Sequence, residues 1–248
     1  MTEPDGSLFE LRDRWDQAGR SDAFWAVLNH PDKSGNRWVE EEFFETGVAE
    51  IQDLIGHLQG LNVAINSDRA LDFGCGPGRL TQALASYFRE VDGVDISPSM
   101  IELAERLNKH RDHCHYHLNV ATDLRTFVDS SFDFIYSNIT LQHMPRKFAK
   151  GYMREFLRVL RPQGVVVFQL PGRRRGTRSR VMGLIPAPIR SWYRRLRTRH
   201  AAAEMHGWPR EQVIEHFRGF GAELLEVTPT HDAGGGWESY RYTWRRIR

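Results

Sequence analysis

The 248-residue sequence predicts an α/β fold built on a mostly parallel sheet. Three observations lead there. From about residue 69 onward, short β-rich runs alternate with stretches of helical periodicity, the pattern of right-handed βαβ units. The run Val165-Val166-Val167-Phe168-Gln169-Leu170 is almost continuously apolar, as a strand covered on both faces requires. A glycine-rich turn, Gly74-Cys75-Gly76-Pro77-Gly78, joins the first run to the first helix of the alternation.

In chain order, residues 7–60 read as helical. Leu8, Leu11 and Trp15 share one face, and a second short helix carries Phe24, Trp25 and Leu28. Asn29 to Asn36 is a loop by its turn chemistry. Phe44, Val48, Ile51, Leu54, Ile55 and Leu58 then repeat at helical spacing. Strands are expected at 69–73, 91–96, 114–120, 132–137 and 165–170. Helices are expected at 78–89, from Pro98, and at 147–160, with Arg161 to Gly164 as a turn. Further on come a helix at 209–217 and strands at 222–228 and 238–246. About ten residues join those two strands, too few for a crossover helix, so they should pair antiparallel.

Residues 171–205 interrupt the alternation. A structureless loop of that length is uncommon within a domain, so the stretch should have a form and a task of its own. It holds Arg173, Arg174, Arg175, Arg178, Arg180, Arg190, Arg194, Arg195, Arg197 and Arg199. Ile189, Trp192, Tyr193 and Leu196 fall at i, i+3, i+4 and i+7, which predicts an amphipathic helix with a basic outer face. Such an insertion can be a lid over a substrate, or can dock through 171–199 on a membrane surface or on nucleic-acid phosphates. A solvated basic face with no partner is the plain alternative.

Net charge is only +2, so the chain as a whole is no polycation. Two cysteines, Cys75 and Cys114, exclude a disulfide framework and point to a reducing cytosol. The polar, acidic start of the chain is unlike a secretion signal. No apolar run approaches the ~20 residues of a membrane span. A cytoplasmic protein is the expectation.

Glycines in a strand-to-helix turn let the backbone bend sharply and approach a ligand at a helix N-terminus. Asp95 closes the second strand, where an acid about 20 residues past such a turn holds a ribose diol. The spacing is Gly74-x-Gly76-x-Gly78, with Arg79 where a dinucleotide fingerprint has its third glycine. That disfavours a nicotinamide-dependent oxidoreductase. With Asp72 two residues ahead of Gly74, the turn resembles that of the class I, Rossmann-like S-adenosylmethionine (SAM)-dependent methyltransferases. The resemblance extends through Val94 to Ser97, Ser131 to Ser137, Leu141 to Met144 and Leu160 to Gly164. It implies a seven-stranded sheet of order 3-2-1-4-5-7-6, with strand 7 antiparallel. It also implies a helical cap at 1–60 and a methyltransferase domain over 61–248 that includes 171–205 as a basic insertion or lid.

By the same resemblance, Gly74, Gly76 and the backbone at Cys75 cradle the methionine part of SAM, with Gly78 completing the turn. Asp72 receives its amino group directly or through water. Asp95 holds the ribose, and Ile96 and Met100 pack against adenine. The family's usual acid after strand three is replaced by Val120, so that contact passes to Asn119, Thr122 or Asp123. Ala121 and Asn138 complete the expected cofactor set. S-adenosylhomocysteine (SAH) is the product.

Methyl transfer to a hydroxyl gains from alignment and from a base. His143, a few residues past strand four, is the expected base. A histidine that merely packs the next helix is the alternative. His113, His115 and His117 alternate on one strand face, more in keeping with a half-exposed stripe than with a metal site, and no metal is expected. Cys75 reads as a small spacer rather than a nucleophile. Trp38, Glu42, Gln142, Arg175, Trp237 and Tyr240 are the expected acceptor-binding residues. Glu40 to Glu42 beside Trp38 suits sugar hydroxyls or a helix N-terminus. More faintly, the arginine content and aromatic flanks are similar to actinobacterial O-methyltransferases of sugars and oligosaccharides. A small-molecule or carbohydrate acceptor is therefore expected. The alternatives are an RNA or protein methyltransferase working through the arginine-rich insertion, and a non-catalytic SAM-binding module.

Overall fold

The computed structural model describes residues 8–175, 205–234 and 236–247. Helix α1 (Leu8–Val27) is kinked at Asp22, where φ −157° and ψ 77° leave the helical region. The Asp22 carboxylate there accepts the backbone N–H groups of Gly35 (2.7 Å) and Asn36 (2.9 Å), which ties the following loop back to the kink. The kink divides α1 into the two helical stretches that the sequence suggests. A 3₁₀ turn at Pro31–Lys33 and helix α2 (Glu40–Gly60) follow.

Seven strands come next in one sheet: β1 (Arg69–Phe73), β2 (Glu90–Asp95), β3 (Cys114–Leu118), β4 (Phe132–Ser137), β5 (Leu160–Arg174), β6 (Ala222–Pro229) and β7 (Trp237–Arg246). Their order is β3-β2-β1-β4-β5-β7-β6. The first five strands pair parallel, and β7 runs antiparallel to both β5 and β6. Helices α3 (Arg79–Leu84), α4 (Pro98–Leu107), α5 (Arg146–Val159) and α6 (Arg210–Arg218) complete the order. This is the seven-stranded, mostly parallel, Rossmann-like arrangement expected from the sequence.

Two apolar layers hold the sheet. On one face Met153, Phe156 and Leu157 of α5 meet Phe132, Val166 and Phe168, joined by Phe217 of α6 and Leu11 of α1. On the other, Ile51, Leu54 and Leu58 of α2 meet Leu80 and Leu84 of α3 over Val165 and Val167. Each fully buried side chain of this size stabilises by roughly 1.5–3 kcal/mol.

Four boundaries differ from the sequence reading. Helix α3 ends at Leu84 rather than 89, yet the turn that follows, with Phe88 N–H donating to Leu84 O at 3.0 Å, still carries Phe88 into the same core. Strand β3 stops at Leu118 instead of 120, because Asn119 turns the chain by donating to Asp123 O (2.9 Å) and accepting from Ala121 N–H (3.2 Å). Residues 161–164 are a bulge inside β5 rather than a free turn. Leu160 already pairs with Phe132, Val165 pairs with Phe134, and Gln163 takes up the excess at φ +66°. Leu160 accordingly opens β5 and does not close α5. Arg173 and Arg174 extend β5, whereas the predicted amphipathic helix at 189–196 and the seven arginines from Arg178 onward lie outside the described residues. Among the described residues no helix is long and apolar enough to cross a membrane.

Candidate active site

The glycine turn is drawn over the end of β2: Gly74 and Cys75 both donate backbone N–H bonds to Val94 O, at 2.7 and 3.0 Å. Gly74 has φ +81°, and a Cβ there would stand 2.2 Å from the Thr140 side chain. Gly78 has φ +88°, and its Cβ would meet the Tyr116 hydroxyl at 2.3 Å. Neither position admits a side chain. The same turn brings Gly76 N–H to Asp95 Oδ2 at 2.9 Å, while Ser97 N–H donates to Oδ1 at 2.8 Å. Burial pushes the Asp95 carboxyl up, and the backbone donors of Ser97, Gly76 and Ile96 oppose that shift. Each oxygen keeps a lone pair for one further donor, the requirement for a vicinal diol.

These residues line a cavity with an empty volume of about 760 Å³, the open solvent at its mouth included. Gly74, Gly76, Asp95, Ile96 and Met100 are all part of its lining. Asn119, Asn138 and His143 line it as well. The bare glycine backbone and a carboxylate with lone pairs to spare fit the methionine and ribose parts of SAM.

The other cofactor residues expected from the sequence lie off this lining. Asp72 is only 1% exposed, accepts from the Thr81 hydroxyl at 2.7 Å, and leaves its Oδ1 without a partner. Burial pushes its carboxyl up to about 7, against the Thr81 hydrogen bond and the Arg79 charge. Cys75 is buried beside Asp95 and Asp72, and that burial raises its thiol well above the usual range, which disfavours a thiolate. Gly78 serves the turn. Ala121 presents its carbonyl to the Tyr152 hydroxyl at 2.5 Å, and Thr122 is exposed at the surface.

Three residues that the sequence placed on a helical face prove to be cavity wall: Leu8, Leu11 and Trp15 of α1. Ile139 also lines it, at φ +55°, a strained conformation for a β-branched residue. An apolar helix face signals burial, not what it is buried against, so nothing in the sequence marks α1 for this role.

His143 stands on the cavity wall with its ring edge-on to Trp15, centroids 5.2 Å apart. Gln142 Nε2 lies 3.1 Å from His143 Nε2. Of the expected acceptor residues, only Gln142 reaches this neighbourhood. Trp38 donates its indole N–H to Leu28 O at 3.2 Å and packs on Phe43, and Glu42 pairs with Lys33. Trp237 packs under the Arg174 guanidinium, Tyr240 lies beneath Arg210, and the Arg175 backbone N–H donates to Gly236 O at 3.0 Å.

Behind Asn138 lies a polar network the sequence does not announce. Glu50 of α2 accepts from Tyr136 Oη (2.8 Å), Asn138 Nδ2 (2.8 Å) and Arg79 Nη2 (2.8 Å). Burial works to raise the Glu50 carboxyl, but the Arg79 charge and these three hydrogen bonds outweigh it and hold the group below its usual value. The histidine stripe is absorbed into the sheet edge. His115 Nε2 lies 2.9 Å from Glu90, His117 Nε2 lies 2.7 Å from the buried Asp92, and His113 Nδ1 lies 3.0 Å from Arg89 O. Among the described residues no group of three or more His, Cys, Asp or Glu is placed to hold a metal.

Comparison with known proteins agrees with this geometry. The family described as "Methyltransferase domain" matches residues 71–168. A 2-methyl-6-phytyl-1,4-hydroquinone methyltransferase of Synechocystis is 29% identical over 162 residues, 65% of this chain and 50% of the relative. A malonyl-[acyl-carrier protein] O-methyltransferase of Halorhodospira halophila is 32% identical over 143 residues, 55% of this chain and 45% of the relative. The chain thus spans about half the length of these curated relatives. Among solved structures, the magnesium protoporphyrin IX methyltransferase of Synechocystis with bound SAH superposes with a TM-score of 0.64 at 14% identity, covering 96% of this chain and 99% of that one. The glycine turn and Asp95 fall within residues 71–168, the stretch that matches the methyltransferase-domain family, and the sheet order is the class I, Rossmann-like one of methyltransferases that take their methyl group from SAM.

Proposed function

We propose that the protein transfers the methyl group of SAM to a hydroxyl of a small acceptor, a sugar or oligosaccharide foremost, with His143 as general base. The position of His143 on the cofactor cavity wall, at the C-terminal edge of the sheet, carries this reading. Ligands of open α/β folds bind at that edge. SAM supplies an electrophilic methyl. The chain's own part is to hold the cofactor through the glycine turn and Asp95, to exclude water with Leu8, Leu11 and Trp15, and to accept the hydroxyl proton on the His143 imidazole. Gln142, in hydrogen-bond reach of the ring, orients it.

In this reading residues 1–60 act as a cap on a domain that begins at 61, and the two buried free thiols suit a reducing cytosol. The relatives named above act on a quinol and on a protein-bound malonyl group, so the acceptor has to be found by experiment. The test is transfer of labelled methyl from SAM into separate pools of saccharides, phenols and carboxylic acids, RNA, and lipid extract. Label in the saccharide pool is the expected result. Label confined to RNA or lipid overturns it and moves the acceptor site to the arginine-rich 171–205.

A further inference from the structure

Beside the cofactor cavity, side chains from four parts of the chain each leave one buried polar atom without a hydrogen bond. Asn138, on the cavity wall, spends its amide nitrogen on Glu50 and leaves Oδ1 without a hydrogen bond. Gln169 of β5 is 1% exposed. Its Nε2 donates to Gln142 Oε1 at 3.2 Å and Ser239 Oγ at 2.8 Å, and its Oε1 is left without a partner. Arg241 of β7 is the cross-strand neighbour of Gln169, and its Nε is likewise unpaired. Asp232, in the β6–β7 connection, lies within electrostatic reach of both Arg241 and Glu50 and leaves Oδ2 unpaired. The group touches the cofactor cavity twice, through Asn138 itself and through Gln142, whose amide adjoins His143.

Native proteins seldom bury polar atoms unmatched, because each such atom gives up its hydrogen bond to water for nothing in return. Four within one neighbourhood describe the complement of a ligand. Three are oxygen acceptors and one is an N–H donor, so the ligand must offer mostly donors and at least one acceptor. Hydroxyl groups do both at one atom. The charged members are two carboxyl groups, Glu50 and Asp232, set against two guanidinium groups, Arg79 and Arg241. No surplus charge of either sign stands ready for an ionic acceptor.

We propose that Asn138, Gln169, Asp232 and Arg241 form the acceptor subsite and that they select a neutral polyhydroxylated molecule, a saccharide, whose reacting hydroxyl lies toward His143. This rests on the methyl-transfer reading above and narrows it to one substrate class.

The test uses the full chain, labelled SAM, and three acceptor pools: neutral methyl glycosides with short oligosaccharides, polycarboxylic acids, and phenols. SAH binding is measured in parallel by calorimetry. The expected result is label in the neutral saccharide pool. Gln169→Leu and Arg241→Lys should each raise the acceptor KM by roughly ten- to a hundredfold, the effect of one lost hydrogen bond to a buried group, with SAH affinity unchanged. Arg241→Lys keeps the charge but replaces the guanidinium fork, its Nε–H included, with an ammonium group, so it separates directed hydrogen bonding from charge; unchanged SAH affinity shows that each variant is folded. Label only in carboxylic acids or phenols, no label in saccharides from a chain that binds SAH, or an unmoved KM in both variants each overturns the proposal. A chain that does not bind SAH overturns the methyl-transfer reading beneath it.

Discussion

Asp16 and Ser99 bind each other twice: the Ser99 backbone N–H donates to Asp16 Oδ1 at 2.8 Å, and the Ser99 hydroxyl donates to the Asp16 carbonyl at 2.8 Å. Asp16 thus serves from outside as a cap for the first turn of α4, beside Ser97 Oγ, which accepts from Met100 N–H at 3.3 Å. Burial works to raise the Asp16 carboxyl, and the Ser99 N–H and Arg20 outweigh it, holding the group below its usual value. This pair fixes α1 over the cavity that Leu11 and Trp15 line. Asp16→Ala is expected to lower stability by about 1 kcal/mol, the worth of a capping side chain. SAH affinity should fall as α1 loosens, with turnover at saturating SAM less affected. Calorimetry with SAH checks this, and an unchanged affinity would show that α1 is held by its apolar face alone.

Asp95→Ala and His143→Ala separate binding from chemistry. Asp95 organises Gly76 and Ser97 as well as facing the cavity, so its loss is expected to abolish detectable SAH binding. His143→Ala should bind SAH normally and lose about 10²–10⁴-fold in turnover, the range for a general base. A His143→Ala variant with full activity would sink the base assignment.

Glu50→Ala removes the counter-charge of Arg79, which is 3% exposed, and strands the Tyr136 hydroxyl and the Asn138 amide. Breaking a buried pair from one side costs about 3–5 kcal/mol. Glu50 sits below its ordinary value near 4.5 when folded, so its contribution is whole above that pH and fades as pH falls through the folded value. Urea unfolding should show a large gap between variant and wild type near neutrality that narrows in acid.

Asp72 behaves in the opposite sense. Its carboxyl titrates near 3.8 when exposed and about 7 when folded. Between those values the folded state holds a proton the unfolded chain has released, so stability falls as pH rises through that window and levels off above it. Asp72→Asn should abolish that slope and be relatively more stable at about pH 8 than at about pH 5. Equal pH profiles for the two proteins would show that Asp72 is ionised in its buried site.

Much of this fold is local information. Apolar alternation and turn residues mark β1 to β7 to within a few residues, because strand periodicity and glycine chemistry act over short stretches. The departures arise where pairing overrides local signal. Arg161 to Gly164 reads as a turn, but β4 pairs on both sides of it and makes it a bulge. Helix α3 is cut short although Leu80, Leu84 and Phe88 keep helical spacing, since burying the three does not require an unbroken helix.

By itself the sequence determined the sheet, the glycine turn and the place of Asp95 beside it at the end of β2, because those residues are bound to one strand-turn-helix geometry whatever surrounds them. Only the tertiary structure decided which distant groups meet there. It brought Glu50 to Arg79, Tyr136 and Asn138, laid Trp15 against His143, and set Arg241 beside Gln169. It also left Trp38, Glu42, Trp237 and Tyr240 in packing and ion-pair contacts of their own, away from the cavity wall. Residue type and spacing specify what a side chain can do, but a polar contact between elements depends on how the sheet twists and where each helix docks. Those are set by the whole apolar core at once, and no short stretch of sequence encodes them.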